Sequence, residues 1–496
     1  MFARIKAWLN RRHDERRARD VMRSLFARYD AAQTNEENRR HWASADSLSA
    51  ATANSPAVRR TLRNRARYET ANNCYANGMV RTIAYHCVGS GPTLKINTGD
   101  EAANQKIERE WQKWAMAVNL AAKLRTFREA RARDGEAFMV LGTNERLTHP
   151  VKLSLRLVEC DQFAAPPSAV QPIAYPSAQY ADGIRYDEEG NPTIYDMLPY
   201  HPGDAFAVGT AAPKPLRAEN VIHWYREDRP GQLRGIPEIT PALPLYAILR
   251  RYTLATLGAA EIAAMMAMFL KTNSNAIDPA EVDPWAALEL NRNALTTLPD
   301  GWDVSQLKAE QPTTTYDTFT RAVIREIARC LDMPFNVAAG DSSDSSYASG
   351  RLDHQTWRRA VDIDRDALQC VALNRIFAAW LDEALLVPNL LEGLPPLASL
   401  SHEWHWTPFE HVDPLKEANA AVTLLESGLL SIPTYFAGQG KDWQDEMAKQ
   451  AECLGMTFDE YRVELRKKLL SPSGTPGGVA ASLRQLITTM EESTSA

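Results

Sequence analysis

The sequence predicts an α+β protein with a mainly antiparallel sheet, and three observations predict it. From Ala57 to about residue 134 apolar residues recur at helical intervals. From Glu136 the period changes, and "EAFMVLGTNE", "VKLSLRLVEC" and "GIRYDEEGNPTIYDML" alternate as strands do. The second half then runs helix, small insert, helix, loop and very long helix, starting with "YTLATLGAAEIAAMMAMFL", Tyr252 to Leu270.

The elements follow in order. Residues 1–40 form a basic arm, since the first seventy residues hold 16 Lys/Arg against 8 Asp/Glu. Phe2, Ile5, Trp8 and Leu9 fall at helical spacing among arginines. They read as a solvated arm ordered against a partner, in preference to a membrane-surface helix. No apolar h-region or small-residue cleavage site marks a secretion signal there. Residues 31–56 are polar and poorly periodic. From Ala57 to Val88 the pattern is helical, with Asn77-Gly78 as the expected interruption. "GDEAANQKIEREWQKWAMA" is a helix with Ile107, Trp111 and Trp114 on one side, and "LAAKLRTFREARARDG" a third that stops near Gly135. Among the strands, a hairpin turns at Gly190-Asn191, and "AENVIHWYRE" adds a further strand.

Pro237, Pro241 and Pro244 introduce the apolar helix. An insert of short strand-like pieces ends in a "PDGW" turn. The helix "TTYDTFTRAVIREIARCLDM" then carries Phe319, Val323, Ile327 and Leu331 on one stripe and ends at Pro334. "GDSSDSSYASG" reads as a flexible, hydroxyl-rich loop, and "RLDHQTWRRAVDIDRDALQCVALNRIFAAWLDEALL" as one long helix.

Composition narrows the function. A chain of 496 residues can hold two or more domains, and a net charge of −6 argues against coating nucleic acid through bulk positive charge. Six scattered cysteines without a CxxC fit reduced thiols. No P-loop, GxGxxG or nucleophile elbow is present. The metal candidate is "HEWHWTPFEH" (402–411), with His402, Glu403, His405 and His411. Its histidines are one residue too close for H-E-x-x-H, and Pro408 opposes a helix. It reads as a strand with Leu400, His402, Trp404 and Trp406 on one face, which leaves a metal-dependent hydrolase the weaker alternative. Asp362 and Asp366 are i,i+4 neighbours on the long helix and read as a solvated face.

The apolar helix has nineteen residues and one charge, Glu261. At 1.5 Å per residue it is about 28 Å long, close to a bilayer's thickness. A membrane anchor over 252–270 would place Glu261 near mid-span, which is costly. Ala255, Gly258, Ala259, Ala260, Ala263, Ala264 and Ala267 permit close helix approach, so a helix packed on most faces by neighbouring subunits is the better reading.

Several stretches taken together resemble the portal proteins of tailed bacteriophages, lambda type. They are "RARYETANNCYANGMVRTIAYHCVGSGPTL", "RDGEAFMVL", "VECDQ", "GIRYDEEGNPTIYDM", "HWYREDRPGQLRGIPEITPAL", "CLDMPFNVAAGDSSDSSYASGR", "WTPFEHVDPLKEANA" and "GLLSIPTYFAGQGKDWQDEMAKQ". The likeness runs in order over about residues 40–470. It departs at "DSSYASGR", where an Asn before the Tyr is usual, and in the tail "SGTPGGVAASLRQLITTMEESTSA", which has no counterpart.

The resemblance implies a ring, usually of twelve subunits, at one capsid vertex, with wing, stem, clip and crown around an axial channel. The wing would be 41–236, the stem helices 237–272 and 313–333, and the clip 273–312. A tunnel loop would span 334–356, the long helix and wing return 357–412, the crown 413–470 and a flexible tail 471–496. The loop's Asp341, Ser342, Ser343, Asp344, Ser345, Ser346 and Tyr347 would face the channel. Leu254, Leu257, Gly258, Glu261, Met265, Phe269, Phe319, Val323 and Ile327 would pack stem against stem. Trp285 and Trp302 would be the clip's contacts to partners. The implied function is structural, without cofactor or catalysis: conducting double-stranded DNA during packaging and ejection. The implied partners are a terminase large subunit, head–tail connectors, major capsid and scaffold proteins, with no membrane. The place would be the virion, after synthesis in the host cytoplasm.

Overall fold

The computed structural model describes residues 36, 39–164, 180–204, 212–265, 269–272, 302–305, 315–343, 346–391, 401–409 and 414–470. The chain divides into two units, 1–53 and 54–496. The described part of the first holds a turn at Trp42 and one helical turn, Ala50–Ala53, whose start is held by the Ser49 hydroxyl accepting from the Thr52 N–H.

The second unit opens with α1 (Pro56–Asn72) and α2 (Cys74–Val88). The break lies at Asn73, not at the expected Asn77-Gly78. Asn73 is extended, and its side chain accepts from the N–H groups of Tyr75 and Ala76, so a capping amide starts the second helix. Gly78 sits inside α2 with open space around it. Next come β1 (Thr93–Asn97), α3 (Glu101–Ala117), capped by Asp100, and α4 (Leu120–Asp134). Gly135 ends α4 in the left-handed region, φ 91°.

Two antiparallel sheets follow. One has the order β3 (Leu153–Val158), β2 (Glu136–Thr143), β8 (Val221–Tyr225). The other runs β4 (Tyr180–Ala181), β5 (Ile184–Tyr186), β6 (Pro192–Met197), β7 (Lys214–Arg217). Central strand β2 is covered on both faces, so alternation sends its side chains into two cores. Ala137 and Met139 join Trp111, Trp114, Trp224 and Trp380. Phe138 stacks on Phe163 and His223 and packs with Ile184 and Tyr195 between the sheets.

The apolar helix is α5 (Leu243–Met265), and here the structure corrects the sequence reading. Phe269 and Leu270 lie in strand β9 (Phe269–Thr272), antiparallel to β10 (Trp302–Ser305). A Phe-Leu pair beside the insert is satisfied by ladder pairing. Then come α6 (Thr315–Arg329) and α7 (Phe335–Ala339), ended by left-handed Gly340. The region read as a loop over 334–356 is thus mostly helical. Helix α8 (Tyr347–Leu368) starts at a capping box in which Ser346 and Ser349 each bond the other's backbone. A π-helical turn, Gln369–Leu373, joins α8 to α9 (Asn374–Leu386). Strand β11 (Ser401–His405) pairs with β1. Four helices close the described chain: α10 (Pro414–Glu426), α11 (Ile432–Gly438), α12 (Trp443–Cys453) and α13 (Phe458–Leu470).

Two buried ionic centres join these parts. In the first, the Arg234 guanidinium donates to both oxygens of Glu136 at 2.7 and 2.8 Å. The same carboxylate meets His223 (3.1 Å), Arg63 (3.3 Å) and the Gly235 N–H (3.2 Å). In the second, Arg128 and Arg131 of α4 share Glu238 and Asp364 at 2.6–3.2 Å. Burial alone would raise the Glu136 carboxyl. The Arg234 charge and the hydrogen bonds from His223 and Arg234 overcome this and hold it well below the usual range. Asp364 is lowered in the same way by Arg128 and Arg131, against its own burial. Burial lowers His223 and keeps it neutral, despite the Glu136 contact.

Two outcomes are expected. Arg234→Met strands a buried carboxylate and lowers unfolding free energy by about 3–5 kcal/mol, whereas Arg217→Ala, on an exposed pair, costs about 0–1; urea midpoints compare them. The second concerns pH. All three groups have lowered folded-state values, so the unfolded chain binds more protons as pH falls. The His223 contribution is complete above about pH 6.5 and the carboxylate contribution above about pH 4.3, each declining below. Urea midpoints against pH therefore fall in two stages, and His223→Gln makes the upper one smaller without abolishing it, since burial also lowers His86, His149, His402 and His405.

Candidate functional site: an uncovered helix pair and its adjoining loop

Helix α5 changes character along its length. Its first two turns bury Leu243, Tyr246 and Leu249 against α1 and α2. Past Arg250 the apolar character continues but the cover stops: Leu254 is 59% and Leu257 61% exposed. Helix α6 is divided the other way, with Ile324, Ile327 and Ala328 buried near its end and Phe319 exposed near its start. The two helices meet through Tyr252, stacked on Tyr316 (5.6 Å) and edge-on to Phe319 (4.8 Å). Full burial of a leucine stabilises by about 1.5–3 kcal/mol, so this face gains substantially from a further surface. A Cβ added at Gly258 would meet nothing within 4 Å. The chain's own packing therefore does not require a glycine there.

The other proposed stem residues divide. Glu261 is exposed and Val323 half-buried. Met265 is the last residue of α5. Phe269 is removed from the helix face by its place in β9. Ile327 is fully buried among Leu331, Met333 and Ala338, so it belongs to the chain's own core and not to a contact between subunits. Trp302 opens β10, with its backbone paired to Thr272. Trp285, Asp344, Ser345 and His411 lie outside the described residues.

The loop is shorter than its sequence suggests. Ser346 and Tyr347 belong to the start of α8, which leaves Gly340 to Ser345 as the connection. Asp341 accepts from the Ser343 N–H at 2.9 Å, and Arg321 of α6 lies 3.0 Å from its other oxygen. The Ser343 hydrogen bonds, then Arg321, lower the Asp341 carboxyl. Ser342 is exposed. Sequence reading missed Arg321, although its i,i+4 spacing from Asp317, at 2.8 Å, was visible.

The histidine motif forms the predicted strand. His402 contacts the Asn374 side chain (3.1 Å), which also accepts from Trp404 (2.8 Å). His405 projects from the opposite face, so the two imidazoles do not converge. Among the described residues one three-ligand grouping exists, Glu159, Asp161 and His201. Arg67 sits 2.8 Å from Asp161 and 3.3 Å from Glu159, where its guanidinium takes a cation's place. Asp362 faces Arg358 and Arg365 at the surface, while the carboxylate of that helix turned toward the body is the half-buried Asp364. Spacing from Val361 and Leu368 carried that signal. Among the described residues no helix is long and apolar enough to cross a membrane.

The family model described as "Phage portal protein, lambda family" matches residues 36–365, which include the helix pair and the loop. The chain belongs to the lambda family of phage portal proteins. Two relatives in this family extend the likeness. A probable portal protein of Halomonas phage phiHAP-1 is 25% identical over 425 residues, covering 78% of each chain. Portal protein B of Escherichia phage lambda is 22% identical over 446 residues, covering 76% of this chain and 80% of that one. Among solved structures, a chain from the virion of a native gene transfer agent particle is similar over 77% of this chain and 93% of its own, at 14% identity and a TM-score of 0.45.

The split between buried and uncovered residues has a direct check. Ile327→Ala costs about 2–5 kcal/mol in urea unfolding of the monomer, while Leu254→Ala and Leu257→Ala change it by less than about 0.5.

Proposed function

We propose that this chain is the subunit of a portal ring at a capsid vertex, forming the channel for double-stranded DNA in packaging and ejection. Its membership of the portal family carries this reading. The uncovered α5–α6 face supports it, because an apolar helix pair on a ring subunit is covered by its neighbours. That pair is the stem, and β9 with β10 lies at the border of the clip. The two sheets and the tryptophan core form the wing. Helices α10 to α13 form the crown, where Leu415, Leu429 and Leu454 are likewise exposed. Within the ring, Leu254, Leu257, Gly258 and Phe319 pack stem against stem.

The loop after α7 faces the channel. DNA must slide there, and each neutralised phosphate adds affinity, so a surface of Asp, Ser and Gly suits passage. The role is structural: hydrolysis of ATP belongs to a docked terminase, and a head–tail connector meets the clip, with Trp302 and Trp285 as candidate contacts. Capsid and scaffold proteins meet the outer surface. The product resides in the virion after synthesis in the host cytoplasm.

Light scattering and negative-stain images of detergent-free protein test the reading. A ring of about twelve copies with a central hole is expected. Leu254→Asp with Leu257→Asp gives folded monomers with an unchanged circular-dichroism spectrum. A wild-type ring that survives this pair of substitutions overturns the stem assignment.

A further inference from the structure

We propose that Arg321 is the positioning residue of the channel loop, clamping its first turn to α6 while staying masked from DNA. The proposal rests on the assignment of this loop to the channel. The Arg321 side chain is anchored on its own helix by Asp317, 2.8 Å away and one turn earlier. Its Nη2 lies 3.0 Å from Asp341 and donates to the Ser343 hydroxyl at 3.4 Å. Asp341 divides its oxygens between two tasks: Oδ1 accepts from the Ser343 N–H and shapes the turn, while Oδ2 meets Arg321. The Asp341 N–H donates to the Asn336 carbonyl, so the clamped turn is continuous with the end of α7. Arg321 and Arg325 also lie over the Phe335 ring of α7, at 6.0 and 4.9 Å.

Arginine suits this place because its planar fork serves two carboxylates from one position, which a lysine ammonium does not. The charge balance matters as much as the geometry. The Arg321 guanidinium lies between two carboxylates, so this cation holds the loop without offering a bare phosphate site of its own. The clamp is also partly open to water, with Arg321 at 22% and Asp341 at 34% exposure. Pairs of that kind are weak and salt-sensitive, so the loop is held yet can yield to passing DNA.

Hydrogen exchange of the assembled ring, followed on peptides covering residues 336–346, tests the clamp. Arg321→Ala speeds exchange about fivefold, and Arg321→Lys gives a smaller increase. Raising salt from about 0.1 to 1 M brings the wild type toward the alanine variant and leaves that variant unchanged. Equal exchange in wild type and Arg321→Ala overturns the proposal, as does a wild-type rate indifferent to salt. Where Arg321→Ala fails to assemble, the lysine variant and the wild-type salt series decide alone. Particles carrying Arg321→Ala are then scored for packaging rate and DNA retention. Faster exchange with altered packaging upholds clamp and channel assignment together. Faster exchange with unaltered packaging upholds the clamp and removes the loop from the channel.

Discussion

The rest of the structure depends on one crossing, where the Gly135–Glu136 backbone passes Arg234–Gly235. A Cβ at Gly235 would overlap the Gly135 carbonyl, and one at Gly135 would overlap the Ile236–Pro237 backbone. Only two glycines allow this approach. The approach in turn places Glu136, the first residue of β2, against Arg234, just ahead of the helix pair. Both side chains are nearly removed from water, at 0 and 3% exposure. A charge so placed is tolerable only when fully paired. Glu136 is paired by Arg234, Arg63, His223 and a backbone N–H, and Arg234 spends its remaining donors on the carbonyls of Phe163 and Asp182. One carboxylate thus ties α1, the central strand and the approach to α5 into a single body.

The second ionic centre extends that logic to the other side of α5. Glu238 accepts from Arg128 and Arg131 while its own N–H bonds the Ala132 carbonyl. Asp364 brings in α8 from more than two hundred residues away in sequence. The foot of α5 is therefore fixed from the sheet side and from the long-helix side before its apolar upper turns begin. A rigid foot under an uncovered helix is what a ring subunit needs, since the angle between neighbours is set by the body that carries the contact face.

Much of this was legible in the sequence. The strand period, the Gly190 hairpin, the Trp111–Trp114 helix face and the ending at Gly135 are local signals, and local chemistry decided them. Three features were not local. The break at Asn73 came from a capping side chain, which competes with a glycine signal four residues on that looks stronger on paper. The end of α5 came from strand pairing with a segment some thirty residues later. The serine-rich run looked like loop by composition, yet its last serines form a capping box. As for the site, Leu254, Leu257 and Phe319 were visible as an apolar stripe. Ile327 lies on the same α6 stripe as Phe319, and the elements packed around that end of α6 decide that it faces inward. Helical spacing pointed to Asp364 and Arg321, but their partners on other elements, Arg128 and Arg131 for the one and Asp341 for the other, were not legible.

The distribution of charge pairs follows from what each region must do. At Glu136 the pairs are fully buried and at Asp364 largely so, several donors converge on each carboxylate, and removing one leaves a charge that water solvates poorly. At Arg321 the same residue types are arranged in a half-exposed triad, where water can solvate every group whose partner leaves. Opening there costs little, and salt lowers the cost further. The chain therefore uses one chemistry, guanidinium with carboxylate, at two depths. Burial makes it a fixed joint between the sheet, the long helix and the foot of α5, and exposure makes it a releasable hold on the turn after α7.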